Sequence, residues 1–340
     1  MTVTEIAKMA GVSIGTVDRV LHNRGRVSPK TQEKIRKIIK QSGYQPDPIA
    51  RHLKKHMQYH IGVLIPELDS GYGYWQMLYD GITNTAATEL AAFSFTIVPF
   101  FFKRPLHTSL ITQFKEMIDS DCCAYIIAPV MQEETKVLLD TVAEIKPYCF
   151  VDSPLPDCMP VSTIAQDPLK AGFLAGRLTQ MIAGKPGTYI VLESYDEAYN
   201  QNERARGFTN WFNKSSVSGC KVLRVVAKNA DVQGIKKEID DLLAAIPDIA
   251  AICTVSVEVQ FVAEHLKELG KTGITVTGFE LVQKNYEALV DRSIDCIISQ
   301  QPEEQGRTAL RLLFRKLVYE EQPEKEISMP LEIFFKENLL

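Results

Sequence analysis

The 340-residue chain is 45% hydrophobic and 24% charged, ordinary for a soluble globular protein and long enough for two or three domains. No apolar run approaches the roughly 20 residues a bilayer span needs. Met1-Thr2-Val3-Thr4-Glu5 lacks the basic and apolar stretches of a secretory leader, so a cytoplasmic protein with no membrane association is expected. The net charge of −4 is unevenly spread: residues 1–57 hold 12 Lys+Arg against 4 Asp+Glu, and the remainder 26 against 38. A basic head on an acidic body suits a polyanion-binding module whose body avoids the polyanion. The seven cysteines are odd in number, with vicinal Cys122-Cys123 and no Cys-x-x-Cys spacing, and read as reduced thiols of the core.

Thr2-Val3-Thr4-Glu5 has the spacing of a capping box, and Ile6, Ala7 and Ala10 give the helix it opens one apolar face. Gly11 stops that helix. Ser13 then caps a second one whose buried side is Val17, Val20 and Leu21. A basic linker, His22-Asn23-Arg24-Gly25-Arg26, leads to Ser28-Pro29, a cap and first-turn proline, and to a third helix through Ile35, Ile38 and Ile39 that ends near Gly43. Two short helices around a glycine turn form the outline of a helix-turn-helix, though a plain helical hairpin shares it.

The run Val3-Thr4-Glu5-Ile6-Ala7-Lys8-Met9-Ala10-Gly11-Val12-Ser13-Ile14-Gly15-Thr16-Val17-Asp18-Arg19-Val20-Leu21 is more specific, and resembles the head of the LacI/GalR repressor family. Val27-Ser28-Pro29-x-Thr31 and Gly43-Tyr44-Gln45-Pro46 fall at that family's positions too. The resemblance implies a helix-turn-helix domain over residues 1–46, with Ile14, Gly15, Asp18 and Arg19 facing base edges in the major groove. Arg19 suits a bidentate contact to guanine, and Ile14 a thymine methyl. Asp18, where the family usually has serine, either accepts from cytosine or repels phosphate. Ser13, Thr16, His22, Ser28 and Thr31 complete the expected DNA-contacting set, the hydroxyls on phosphate. Residues 47–58 take the place of the family's hinge helix: Ala50 at the close approach, Arg51 near phosphate, and Leu53 as the minor-groove wedge.

From Tyr59 strand patterns alternate with helix patterns, implying mostly parallel sheets with helices on both faces. Strands are expected at 61–66, 93–102, 124–129, 148–152, 188–193, 221–227, 250–255 and 274–279, and helices at 75–90, 109–119, 132–145, 169–182, 204–213, 232–245 and 257–269. Ile61-Gly62-Val63-Leu64-Ile65-Pro66, Arg204-Ala205-Arg206-Gly207-Phe208, Val276-Thr277-Gly278-Phe279-Glu280 and Ile298-Ser299-Gln300-Gln301-Pro302 resemble landmarks of the same family's sensor, a periplasmic-binding-protein-like fold of two lobes. The fold class is therefore an all-α three-helix head with a hinge helix, followed by a two-lobe α/β domain over 59–340. The first lobe is expected at about 59–165 and 297–326, the second at about 166–296 and 327–340.

Ligands of such folds sit at the carboxyl ends of the strands. The loop after the first strand carries Tyr72, Tyr74 and Trp75, which either stack on a sugar face or belong to the core. Asp152 follows the fourth strand and either accepts hydroxyls or caps a turn. The resemblance puts Arg204, three residues before Gly207, on the effector, unless it serves a structural ion pair, with Asn202 beside it. Glu280 replaces the family's usual aspartate, Ser256 stands near a missing Asn-Asp, and Gln300 lies in the last landmark. No metal-ligand cluster, phosphate loop or nucleophile elbow is visible, so no catalytic role and no cofactor are expected. The resulting expectation is a homodimeric regulator, a repressor, binding a pseudo-palindromic double-stranded operator under control of a sugar-like effector. The alternative is a solute receptor of the periplasmic-binding-protein type that binds no DNA.

Overall fold

The computed structural model describes residues 1–21, 23–43, 57–68, 73–194, 198–215, 218–228 and 231–339. The chain divides into two compact units, Met1–Met57 and Gln58–Leu340. The hinge-helix reading, with Ala50, Arg51 and Leu53, lies outside the described residues, as do His22 and Tyr72.

The head is three helices: α1 (Val3–Ala10), α2 (Ile14–Leu21) and α3 (Pro29–Ser42). The capping box closes at both ends, Glu5 N donating to Thr2 Oγ1 at 3.2 Å and Thr2 N to Glu5 Oε2 at 2.7 Å. Gly11 ends α1 at φ 69°, a left-handed conformation that glycine adopts without side-chain clash. Ile6, Ala7, Ala10, Val17, Val20 and Ile35 form the buried core, with Val12, Ile38 and Ile39 packed on its edge. Lys34 Nζ donates to Ala10 O at 2.8 Å and ties α3 to the orphan carbonyls of α1.

The body holds two six-stranded sheets of matching order. The first runs β11-β5-β4-β3-β1-β2, from β1 (Tyr59–Pro66), β2 (Phe95–Phe102), β3 (Ala124–Ile127), β4 (Tyr148–Val151), β5 (Ser162–Ala165) and β11 (Glu326–Ser328). The second runs β12-β10-β9-β8-β6-β7, from β6 (Gly187–Glu193), β7 (Cys220–Val226), β8 (Ile249–Thr254), β9 (Thr275–Phe279), β10 (Cys296–Ser299) and β12 (Glu332–Phe334). All neighbours are parallel except β10 and β12. Central strands such as β6 and β8 are buried at every residue, because helices cover both faces of each sheet.

Sheet membership corrects two expected lobe borders. The sequence reading gave 297–326 to the first lobe, but β10 pairs with β9 in the second sheet and β11 pairs with β5 in the first. The chain changes sheets where no ladder hydrogen bonds hold it, after Ser299 and after Ser328, rather than inside a strand. The helix expected at 132–145 ends at Asp140, where Thr141 Oγ1 turns back onto Leu138 O at 2.6 Å. The helix expected from Arg204 begins five residues earlier, giving α8 (Tyr199–Ser215). The intervening body helices are α4 (Tyr74–Ala87), α5 (His107–Asp119), α6 (Gln132–Asp140) and α7 (Pro168–Ala183). After α8 come α9 (Val232–Ala245), α10 (Val259–Glu268), α11 (Gln283–Val290) and α12 (Pro302–Val318).

Helices α7 and α8 touch backbone to backbone. A Cβ on Gly172 would lie 1.9 Å from Arg204 O, and one on Gly207 would lie 2.1 Å from Leu169 O. This reciprocal glycine contact sets the position of Arg204.

Candidate functional sites

In the head, the start of α2 is exposed. Ser13 Oγ accepts from Thr16 N at 3.2 Å and pairs with Thr16 Oγ1 at 3.0 Å. Ser28 and Thr31 repeat the arrangement at the start of α3, at 3.3 and 2.8 Å. Each hydroxyl pair fixes a helix N-terminus whose free amides and dipole favour an anion. Ser13, Gly15 and Arg19 are exposed, Thr16 and Asp18 half-buried, and the apolar Ile14 is 52% exposed. An apolar side chain left in water at the first turn gains by meeting an apolar partner. Asp18 Oδ2 accepts from Arg24 Nη1 at 3.4 Å, so its sequence neighbour Arg19 is not the partner in that pair.

In the body, a cleft of about 500 Å³ opens at the carboxyl ends of the strands of both sheets. Asp152 follows β4 and Glu280 follows β9, the counterpart strand of the second sheet. Both turn off their strands with left-handed backbones, φ 69° and 68°. For residues other than glycine this costs on the order of 1–3 kcal/mol and clusters at functional sites. Both carboxylates are buried. Gln300, where the chain changes lobes, donates from Nε2 to Glu280 Oε1 at 2.9 Å and to Asp152 Oδ1 at 3.4 Å. Asn200 donates to Asp152 Oδ2 at 2.9 Å and to Asp152 O at 3.0 Å, a direct link between the lobes.

Arg204 is 3% exposed and lies over the Phe279 ring with Cζ 4.1 Å from its centroid. Its Nη1 donates to Val255 O at 2.9 Å, and Nη2 lies 3.5 Å from Glu280 Oε1. The expected alternatives for Arg204 therefore coincide: it forms a buried ion pair and also lines the cleft. Burial is the larger influence on Glu280 and pushes its carboxyl up to about 7, against the opposing pull of Arg204. Burial and then the Asp152 charge raise the Tyr74 phenol well above its ordinary range.

Tyr74, Trp75, Asp152, Arg204, Ser256, Glu280 and Gln300 all line the cleft. Asn202 does not. Asn200 and Arg204 stand one turn apart on one face of α8, whereas Asn202, two residues on, points away and accepts from Arg224. The sequence reading missed Asn200, Gln260 and the hub Gln305. Gln305 Oε1 accepts from Asp152 N at 2.9 Å, and its Nε2 donates to Gln300 O at 3.0 Å and Tyr74 Oη at 3.3 Å. The spacing Asn200-x-x-x-Arg204 was the available signal. Asn285 supports the other wall, its Nδ2 donating to Glu280 O at 2.8 Å and Val257 O at 2.9 Å.

Among the described residues, four buried cleft atoms find no hydrogen-bond partner: Asn200 Oδ1, Arg204 Nε, Gln260 Oε1 and Gln300 Oε1. An unpaired buried polar atom costs roughly 1–3 kcal/mol, so their convergence marks a surface built to be completed by a ligand. Among the described residues no group of three His, Cys, Asp or Glu side chains could hold a metal ion, and no helix is long and apolar enough to cross a membrane. All seven cysteines are free, four of them buried and three half-buried.

A two-lobed α/β domain with an interlobe cleft, carried by a chain with a helix-turn-helix head, is the class of protein these elements define. A profile of the periplasmic binding protein domain matches residues 61–321, and one of the bacterial regulatory proteins of the lacI family matches residues 2–47. The chain therefore belongs to the periplasmic binding protein domain family, and it carries a lacI-family head at residues 2–47. It is 46% identical over 68 residues to the sucrose operon repressor of Staphylococcus xylosus, covering 20% of this chain and 21% of that protein. It is 22% identical over 342 residues to the HTH-type transcriptional regulator pepR1 of Lactobacillus delbrueckii subsp. lactis, covering 100% and 98%. The match to catabolite control protein A of Staphylococcus xylosus also spans only 26% of that relative. Among solved structures, a protein described as a LacI transcriptional regulator from Bacteroides fragilis superposes with TM-score 0.75 at 22% identity, over 83% of this chain and 98% of the other. A solute binding protein of Burkholderia graminis in complex with D-arabinose gives 0.73 at 19%, over 82% and 96%.

Proposed function

We propose that this chain is a cytoplasmic, homodimeric transcriptional regulator, a repressor, that binds a pseudo-palindromic operator and is controlled by a small hydroxylated effector, a sugar or sugar derivative. The observation that carries the reading is the set of four unpaired polar atoms buried around a cleft that both lobes line, in a chain whose head exposes the start of α2. The names of sugar-operon regulators among the relatives support the effector class. In the head, Arg19 would read guanine and Ile14 a thymine methyl, while the Ser13-Thr16 and Ser28-Thr31 helix starts hold phosphates. Asp152, Glu280 and Asn200 would hold hydroxyls, with Trp75 against the apolar face of the ring. Occupancy of the cleft changes how the lobes meet, and through the segment before Gln58 it changes the presentation of two heads to two half-sites.

Selection of duplexes from a random library with the full chain tests this. The reading predicts an inverted repeat, affinity that falls steeply with salt, and loss of preference at one position per half-site in Arg19→Ala. Enrichment of no inverted repeat at low salt, with and without a panel of sugars, would refute it.

A further inference from the structure

The deep wall of the cleft is biased towards hydrogen-bond acceptors. Three of its four unpaired buried atoms are amide oxygens, those of Asn200, Gln260 and Gln300, and one, Arg204 Nε, is a donor. The remaining Arg204 donors are already directed at Val255 O and Glu280. With the Gln166 amide turned so that its oxygen faces the guanidinium, it also accepts from Arg204 Nη2 at 3.2 Å. The carboxylates of Asp152 and Glu280 converge from the two lobes on the single Gln300 amide. With both acids ionised, Arg204 balances one of the two negative charges, and a cation in the cleft would balance the other. The other charged residues that line the cleft are Lys103, Arg104 and Lys284 against Glu67 and Glu258; the two lysines and Glu67 are exposed, Arg104 and Glu258 half-buried, and screening weakens them relative to the buried acids.

We infer that the inner end of the cleft takes a cationic amino group, so that the effector is an amino sugar or amino polyol rather than a neutral or phosphorylated sugar. This rests on the reading of the cleft as a site for a hydroxylated ligand and narrows it. An ammonium presents donors only, matching an acceptor-rich wall, and to an ionised carboxylate it adds an attraction of opposite charges that a hydroxyl lacks. It also supplies the charge that Arg204 alone does not. Burial that pushes the Glu280 carboxyl up to about 7 is the cost such a cation relieves.

Calorimetric titration of the full chain decides the matter with three sets of probes: glucose, galactose and mannose; their 2-amino-2-deoxy counterparts; and their 6-phosphates. One amino sugar binding roughly tenfold or more tightly than its parent, with that advantage reduced in Asp152→Asn and in Glu280→Gln, supports the inference. The wild-type comparison stands even where a variant fails to fold. A parent sugar binding as tightly as its amino form, or a phosphate binding more tightly than either, overturns the inference and leaves the sugar reading in place. Binding of none of the probes overturns both.

Discussion

Substitution of Gly172 by alanine tests how the cleft is positioned. The new Cβ would sit 1.9 Å from Arg204 O and 2.7 Å from Arg204 Cα, so α7 and α8 must separate by more than about 1 Å. Overpacking of this kind costs about 3 kcal/mol, at the upper end of the usual range, because the opposing atoms are backbone and cannot swing away. For a body of this size that corresponds to a melting point lower by about 5 °C. The displaced helix carries Asn200 and Arg204, so effector affinity should fall together with stability. Urea unfolding followed by tryptophan fluorescence suits the question, since Trp211 on α8 packs edge-on against Phe173 of α7 with ring centroids 5.4 Å apart. An unfolding midpoint and effector affinity both equal to wild type would refute the claim that this glycine contact sets the site.

Three further outcomes follow from the geometry. The Glu280 carboxyl, raised from 4.5 to about 7, keeps its proton in the folded chain over a window where the unfolded chain has lost it. This group therefore subtracts up to about 3 kcal/mol of stability as pH climbs from 4.5 to 7, and nothing further above that. Denaturant midpoints measured across this window should fall for wild type relative to Glu280→Gln, and parallel curves would contradict the assignment. Arg204→Lys keeps the charge but cannot reach Val255 O and Glu280 with one planar fork, so effector affinity should drop about tenfold in calorimetry; unchanged affinity would remove Arg204 from the site. Ser13→Ala removes the acceptor for Thr16 N and should destabilise the head by about 1 kcal/mol and weaken DNA binding, without changing effector affinity for the free protein. Equal thermal stability and DNA affinity would show that the cap contributes nothing.

The head was legible because its signals are local. Thr2, Glu5, Gly11, Ser13, Ser28 and Pro29 each act within four residues of where they stand, and the structure uses each of them as a cap or stop. The long central strands were legible from continuous apolar runs such as Ile61–Ile65, buried on both faces. What the sequence hid depends on distant partners. β5, β10 and β11 are only three or four residues long and exist through pairing with strands elsewhere in the chain. Asp152 and Glu280 were recognisable as strand-end acids, but that Gln300 joins them, and that Gln305 holds the Asp152 amide, follows from the crossing of the chain between lobes. A helix starting at Arg204 leaves Asn202 in the preceding loop beside it; with the first turn of α8 included, the helical period selects Asn200.

In the proposed function, one chain couples the occupancy of its cleft to its grip on DNA. The direct measurement is the affinity of the effector for the free protein and for the protein saturated with its selected operator, at one salt concentration. Two different values are expected, and their ratio equals the factor by which the effector changes operator affinity, since coupling between two sites is reciprocal. The same effector affinity in both states would contradict it.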